Sequence, residues 1–344
     1  MKILFQSNTV YQLLVVLHLK FSLFKNDDCD IIISNIMNGS NTFYENLKKT
    51  NKFTNVYLQN TKGIIVPKIN RVIRNKKYDD QYIDLNKFDF KTKYDLFFIT
   101  NLHLSNLIIY KRLSKMNNVE FCLYEDGLAT YSLLYKNIYT LKKGIKKYSS
   151  LNYEIKETKK LYVFNPKLMV WKPKQELIEI PSLKNCSEEE LRFINTVFGY
   201  ETFSLPDDCK TIYFEESYLT EGKKVNDLEI IEKCIKKFGN DGFYIKRHPR
   251  NRENRFNSLN IKVLDTDSIP WELIVLNNMD RIKDITLLSI DSSTIFNPTL
   301  LFGLDVKSYS CENMVNDKKE LYDYIPDIVH KLVEQYDNIN YLEL

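Results

Sequence analysis

No two of the six cysteines, at 29, 122, 186, 209, 234 and 311, are spaced as CxxC, which excludes a zinc knuckle or dithiol redox centre and favours separate reduced thiols. Histidine is scarce as well: four occur, at 18, 103, 248 and 330, too scattered for a metal cluster. No Asp-x-Asp pair is read as holding a divalent ion against a diphosphate, so neither a metal nor another cofactor is expected. A long apolar run is missing too. The stretch Val10 to Leu23 is short for a membrane span and is broken by Gln12, His18 and Lys20; with no small-residue cleavage site after it, a mature chain starting at Met1 is expected. Charge of one sign is not in excess: 49 basic and 45 acidic residues leave +4, which argues against nucleic acid as a partner. Lysines do cluster at 142, 143, 146 and 147 and at 156, 159 and 160, read as a solvated surface, with contact to an anionic inner-membrane face as the alternative for a cytoplasmic protein.

What is present is the composition of a folded protein, with 44% hydrophobic residues, 23 Tyr and 20 Phe. A chain of 344 residues exceeds one typical domain, so two are expected, here 1–160 and 161–344. Short apolar runs alternate with longer amphipathic ones, the pattern of parallel sheets covered by helices, and the fold class read from it is α/β. In the first series strands are expected at Lys2 to Phe5, Asp30 to Ser34, Asn55 to Leu58, Tyr94 to Thr100 and Val119 to Tyr124, with helices at Val10 to Leu23, Phe43 to Lys49, Leu104 to Met116 and Leu128 to Tyr139. The irregular passage Leu141 to Lys174 is taken as the crossing between domains. The second series has strands at Thr211 to Phe214, Gly242 to Lys246, Ile261 to Leu264, Ile285 to Ile290 and Val306 to Tyr309. Its helices are Asp227 to Phe238, Pro270 to Asn277, Ser293 to Phe302 and Lys319 to Gln335. Ser187 before Glu188, Glu189 and Glu190 marks a further helix start.

Four segments at expected strand ends or helix starts carry chemistry. Glu125-Asp126-Gly127 can present a carboxylate that takes a proton from a hydroxyl, although such a group also makes a plain turn. In Lys246-Arg247-His248-Pro249-Arg250 the cations suit a phosphate, the proline stiffens the chain, and the imidazole can hydrogen-bond or protonate a leaving group. His18, His103 and His330 read as structural. Ser289 to Thr294, with Ser292 and Ser293, runs from a strand into a helix start, where hydroxyls and free N–H groups bind anions, or simply cap. Glu272, after Pro270 and Trp271, is either a ribose ligand or an ordinary first-turn acid.

In this order the four segments resemble the bacterial sialyltransferases, above all the lipooligosaccharide and capsule enzymes of glycosyltransferase family 52, and the pairing of Glu125-Asp126-Gly127 with His248-Pro249 is shared with the bacterial polysialyltransferases. The resemblance implies a GT-B fold, two Rossmann-like domains facing a cleft in which these segments converge. It implies inverting, metal-independent transfer of sialic acid from CMP-sialic acid to a glycan ending in galactose. Glu125 would be the general base, Asp126 and Gly127 would shape the loop, and His248, stiffened by Pro249, would serve the leaving phosphate. Lys246, Ser289, Ser292 and Ser293 would hold that phosphate and Glu272 the ribose. In some family 52 members the base comes instead from the start of the second domain, where Glu215 and Glu216 stand. Another nucleotide sugar, or an inert carbohydrate-binding assembly protein, are the rival readings; oligomeric state, a homodimer included, stays open.

Overall fold

A computed structural model describes residues 1–60, 84–85, 88–100, 104–116, 118–132, 158–201, 203–248, 250–251, 255–256, 259–264, 266, 269–321 and 325–343. The chain divides into two compact units, Met1–Pro181 with Cys186–Tyr200, and Ser182–Asn185 with Glu201–Leu344. Each is built on its own sheet.

The first sheet contains β1 (Lys2–Ser7), β2 (Asp28–Ser34), β3 (Asn55–Asn60), β4 (Asp84–Leu85), β5 (Leu96–Ile99), β6 (Glu120–Tyr124), β7 (Lys160–Val163) and β8 (Glu176–Glu179), in the order β4-β3-β2-β1-β5-β6-β7-β8. Every pairing is parallel except the short antiparallel edge β3–β4. The central strands are apolar on both faces, as Ile3 to Phe5, Ile31 to Ile33 and Phe97 to Ile99 are all buried, which a sheet covered by helices on two sides requires. The helix Val10–Phe21 starts where the Thr9 hydroxyl accepts the N–H of Gln12, and its residues Gln12 to Lys20 are buried throughout. Its polar members are satisfied internally: Lys20 Nζ donates to the carbonyls of Phe24, Lys25 and Asp27, and the His18 ring lies between Glu190 Oε1 (2.5 Å) and the Pro181 carbonyl (2.7 Å). His18 is thus a packing residue, joining this helix to Glu188–Phe198, which Ser187 caps through the N–H of Glu190.

The second sheet contains β9 (Thr211–Phe214), β10 (Phe243–Lys246), β11 (Lys262–Val263), β12 (Thr286–Ser289), β13 (Ser308–Ser310) and β14 (Ile339–Tyr341), all parallel, in the order β11-β10-β9-β12-β13-β14. The helix Asp227–Phe238 packs Ile230, Ile231 and Cys234 onto Tyr213, Phe243 and Leu288. Both sheets have the doubly wound order of a dinucleotide-binding domain, in which the chain winds outward from the first strand in one direction and then in the other. This is the α/β class and the pair of Rossmann-like units that the alternating pattern predicts.

Three expectations change in detail. The passage taken as a crossing contributes β7 to the first sheet and β8 follows directly after it, and the units divide near residues 181–201 rather than at 160, because β7 pairs with β6 and β8 with β7. The helix expected over Ser293 to Phe302 is a single 3-10 turn, Ser293–Ile295, followed by Asn297–Phe302. Pro298 lacks the N–H that would bond the carbonyl of Thr294, so one continuous helix cannot form. The Asp28-x-Asp30 spacing sits at the amino end of β2, where Asp28 pairs with Lys2 and Asp30 accepts bonds from Tyr94 and Asn55. Outside the described residues lie Pro249, His103, most of the expected helix Leu128 to Tyr139, and the lysines at 142, 143, 146, 147 and 156. Among the described residues no helix is long and apolar enough to cross a membrane.

One glycine sets the entry to β10. Gly242 has φ +76°, and a Cβ there would fall 2.2 Å from the backbone oxygen of Asp208. Its own carbonyl accepts the N–H groups of Lys210 and Thr211 and aligns β9 with β10. Gly242→Ala is expected to cost at least about 1–3 kcal/mol, the strain of a left-handed residue before the clash is added. Chemical denaturation checks this, and an unchanged midpoint contradicts it.

Candidate functional site

In the second unit the carboxyl ends of three adjacent strands carry the candidate residues. Lys246, Phe214 and Ser289 share one row across β10, β9 and β12, so the residues just beyond them stand side by side, with the outer two strands about 10 Å apart. Beyond β10 come Arg247 and His248, beyond β9 Glu215 and Glu216, and beyond β12 Asp291, Ser292 and Ser293. The two directions of winding part between β9 and β12, where an open α/β sheet leaves a crevice for a ligand.

His248 is half-buried. Its Nδ1 accepts the backbone N–H of Arg250 at 3.1 Å, and its own backbone N–H donates to Glu215 Oε2 at 2.9 Å. Burial, followed by the charges of Arg250 and Lys246, pushes the imidazole down to about 4. With Nδ1 engaged as an acceptor, the neutral ring carries its proton on Nε2 and presents a donor there. The ring therefore acts as a hydrogen-bond donor at neutral pH, whereas the sequence alone also allowed a cationic acid.

Lys246 Nζ donates to Thr266 Oγ1 at 2.9 Å, and burial lowers its ammonium while the nearby Glu272 carboxylate raises it. Glu272 sits in the first turn of Trp271–Asn277, with Pro270 at the cap. Its Oε1 accepts from Asn297 Nδ2 at 2.6 Å, and burial raises its carboxyl. Lys246 is therefore close enough to act on the charge of both His248 and Glu272.

On the other side of β9, the Ser289 hydroxyl bridges the Phe214 carbonyl (2.9 Å) and Glu216 Oε1 (3.0 Å) and accepts the N–H of Ser292 at 3.3 Å. Ser289 is fully buried and shapes this turn from within. Ser292 and Ser293 are part-exposed, and the Ser292 hydroxyl donates to Thr294 Oγ1 at 3.0 Å. Burial and then the neighbouring Asp291 push the Glu216 carboxyl well above the usual range. Glu215 is only 4% exposed, and its oxygens accept the N–H of His248 and Arg255 Nε at 3.0 Å, so this carboxylate is enclosed and ion-paired to a guanidinium.

In the first unit, Glu125 follows β6. It is 2% exposed, with Oε1 accepting the Tyr11 hydroxyl at 2.7 Å and Oε2 accepting both the Tyr131 hydroxyl and the Phe164 N–H (2.9 Å). Burial pushes its carboxyl up to about 7 against the pull of these donors. The sequence suggested a carboxylate open to a hydroxyl; the structure shows one that is enclosed, with the part-exposed Tyr11 donating to Oε1. Asp126 accepts Gln12 Nε2 at 2.6 Å, and its N–H donates to Thr130 Oγ1 at 2.7 Å. Gly127 turns the chain at φ +72° into a 3-10 turn, Leu128–Tyr131, that returns Tyr131 to Glu125. Tyr11, Tyr131, Asn297 and Arg255 carried no motif; their roles come from contacts that span up to 114 residues of sequence. Among the described residues no group of three or more His, Cys, Asp or Glu is placed to hold a metal ion.

A family model, "Alpha-2,8-polysialyltransferase (POLYST)", matches residues 3–311. The chain belongs to this family. It is a glycosyltransferase of the sialyltransferase kind, and the acid-acid-Gly and His-Pro motifs, which the sequence shares with polysialyltransferases, both lie within the matched span. This sialyltransferase has no match among curated proteins. Solved structures agree in fold. An α/β-galactoside α-2,3-sialyltransferase from the luminous marine bacterium Photobacterium phosphoreum is similar at TM-score 0.56 and 13% identity, over 99% of this chain and 98% of that one. A sialyltransferase from Photobacterium damsela is similar at 0.52 and 11%, over 99% and 81%. UGT89C1 of Arabidopsis thaliana, complexed with quercetin, is similar at 0.52 and 8%, over 99% and 85%. These likenesses identify the GT-B fold and leave donor and acceptor to the residues.

Proposed function

We propose that this enzyme transfers sialic acid from CMP-sialic acid to a terminal sugar of a glycan in one inverting, metal-independent displacement. The observation that carries the donor side is the row at the second unit's strand ends. A neutral imidazole with Nε2–H and the Lys246 ammonium stand at the end of β10, and the Ser292 and Ser293 hydroxyls beyond β12 on the other side of β9; this set suits a single phosphate. Glu272, steadied by Asn297, suits the ribose hydroxyls.

The bond from the anomeric carbon of sialic acid to the phosphate oxygen breaks with its electron pair leaving on CMP, and the acceptor oxygen bonds the same carbon from the opposite face. Nε2–H of His248 and the serine hydroxyls stabilise the charge that develops on the phosphate. Glu125 takes the proton of the acceptor hydroxyl, which replaces the Tyr11 hydroxyl at Oε1. A monophosphate leaving group needs less charge neutralisation than a diphosphate, which favours transfer without a divalent ion.

For the acceptor, the family's name implies a glycan already ending in sialic acid, whereas the motifs resemble enzymes that act on galactose; a capsular polysaccharide or lipooligosaccharide is the setting proposed. Incubation with CMP-, UDP- and GDP-sugars, each with lactose or sialyllactose and with or without EDTA, reads nucleotide release. Acceptor-dependent release of CMP from CMP-sialic acid alone is expected, with less than about a twofold effect of EDTA. Release from UDP- or GDP-sugars instead overturns the donor, and a loss in EDTA that magnesium restores overturns metal independence.

A further inference from the structure

The loop after β10 that carries His248 is fastened by one carboxylate. Glu215 Oε2 accepts the backbone N–H of His248 at 2.9 Å, at the start of the loop, and Oε1 accepts Arg255 Nε at 3.0 Å, on the loop's far side. Arg255 turns its other edge to the carboxylate of Asp227, the first residue of the helix Asp227–Phe238. Glu215 itself is fixed to the sheet, because its N–H donates to the Lys246 carbonyl at 3.0 Å. Within the loop, Asn251 donates its N–H to the His248 carbonyl and its side-chain N–H to the Glu216 carbonyl, both at 2.9 Å.

We infer that Glu215 is the positioning residue for His248, holding the imidazole's backbone in place through a Glu215–Arg255–Asp227 chain anchored at a helix start. This rests on the proposed role of His248 and gives Glu215 a task other than that of a base. The physical reason is directional. Nδ1 is occupied by the Arg250 N–H, so only Nε2 can donate to a phosphate, and the direction of Nε2 is set by the His248 backbone that Glu215 holds. A backbone N–H bonded to a buried carboxylate has a shorter, stiffer contact than one bonded to water, and here the same carboxylate is locked by a guanidinium on its second oxygen.

Glu215→Gln tests this with little change of shape: the amide keeps one acceptor and turns N–H groups toward a donor it formerly bonded. The expected result is a fall in kcat on the order of 10- to 100-fold, with KM for CMP-sialic acid changed less than about threefold. In a His248→Ala background the same change should cost less than about twofold, since the group being positioned is gone. Arg255→Lys keeps the charge and loses the planar fork, and should move kcat in the same direction if Glu215→Gln folds poorly. A second readout needs no activity: with four histidines in the chain, the His248 imidazole resonance is identified by its loss in His248→Ala, and Glu215→Gln should shift it while leaving that of His330 in place.

An equal loss of kcat in both backgrounds, or an unmoved His248 resonance in folded Glu215→Gln, overturns the positioning role. If His248→Ala is fully active while Glu215→Gln still moves the resonance, the positioning stands and the leaving-group role of His248 falls.

Discussion

His248→Ala is expected to lower acceptor-dependent CMP release by roughly 10²–10⁴-fold, the usual worth of one well-placed proton-handling group. The alanine removes the Nε2–H donor proposed to stabilise the leaving phosphate. The fold should survive, because the His248 backbone keeps its bonds to Glu215 and Asn251 and the bond that the ring adds goes to the exposed Arg250 N–H. The stability profile gives an independent check. The folded-state imidazole is held down at about 4, below its ordinary value near 6.5, so the unfolded chain binds more protons between those values. Wild-type stability therefore falls as pH drops from about 6.5 to about 4, and His248→Ala should lose that part of the decline. A variant with more than half of wild-type activity defeats the leaving-group role. Acid sensitivity identical to wild type shows instead that the ring is not held neutral.

Glu125→Gln is expected to cost a comparable factor, roughly 10²–10⁴-fold, and to change the shape of the pH profile. A base is useful only when ionised. With the carboxyl raised to about 7, wild-type rate should climb tenfold per pH unit below that value and level off above it, whereas the residual rate of the glutamine variant should be flat. Stability moves in the opposite sense. The folded state keeps a proton on Glu125 between about 4.5 and about 7 that the unfolded chain has released, so folding stability falls as pH rises through this window. The glutamine variant, which buries no charge, should be spared that fall in thermal melts at about pH 5 and 8. Should Glu125→Gln keep most of its activity with the acidic limb intact, the base lies elsewhere. Glu215 is then a poor candidate, since it is ion-paired to Arg255, a cation that makes a carboxylate a weaker base, and Asp126 and Glu216 come next.

How far these roles could be read from sequence differs residue by residue. The strand Thr211–Phe214 and the helices Asp227–Phe238 and Leu104–Met116 lie where the pattern places them, because a buried parallel strand is an uninterrupted apolar run and a surface helix repeats every three to four residues. β7 and β8 were missed: Glu176–Glu179 is an edge strand, exposed at both ends, whose sequence resembles a loop. The helix beginning at Ser293 was overdrawn because periodicity continues through Pro298 although the backbone bonding cannot.

Among the candidate residues, Lys246, His248 and Ser292 stand where the pattern places them, because polar residues at or just after the end of an apolar strand reach the carboxyl edge of such a sheet, while Glu272 stands in the first turn of a helix. Their states could not be read from pattern. Glu125, Glu215, Glu216 and Glu272 are four identical side chains in the sequence. Folding encloses the first among two tyrosines and a backbone N–H, commits the second to a loop, raises the carboxyl of the third above the usual range by burial and turns the fourth toward Asn297 and Lys246.

The sequence by itself determined the class of fold, the order of the elements and the short list of groups able to handle a phosphate or a proton, since these arise from local pattern and from the chemistry of each residue. Only the tertiary structure decided which of those groups are charged, which are already bonded and which way the imidazole faces. Desolvation and hydrogen-bond partners come from residues distant in the chain, and no local pattern encodes them.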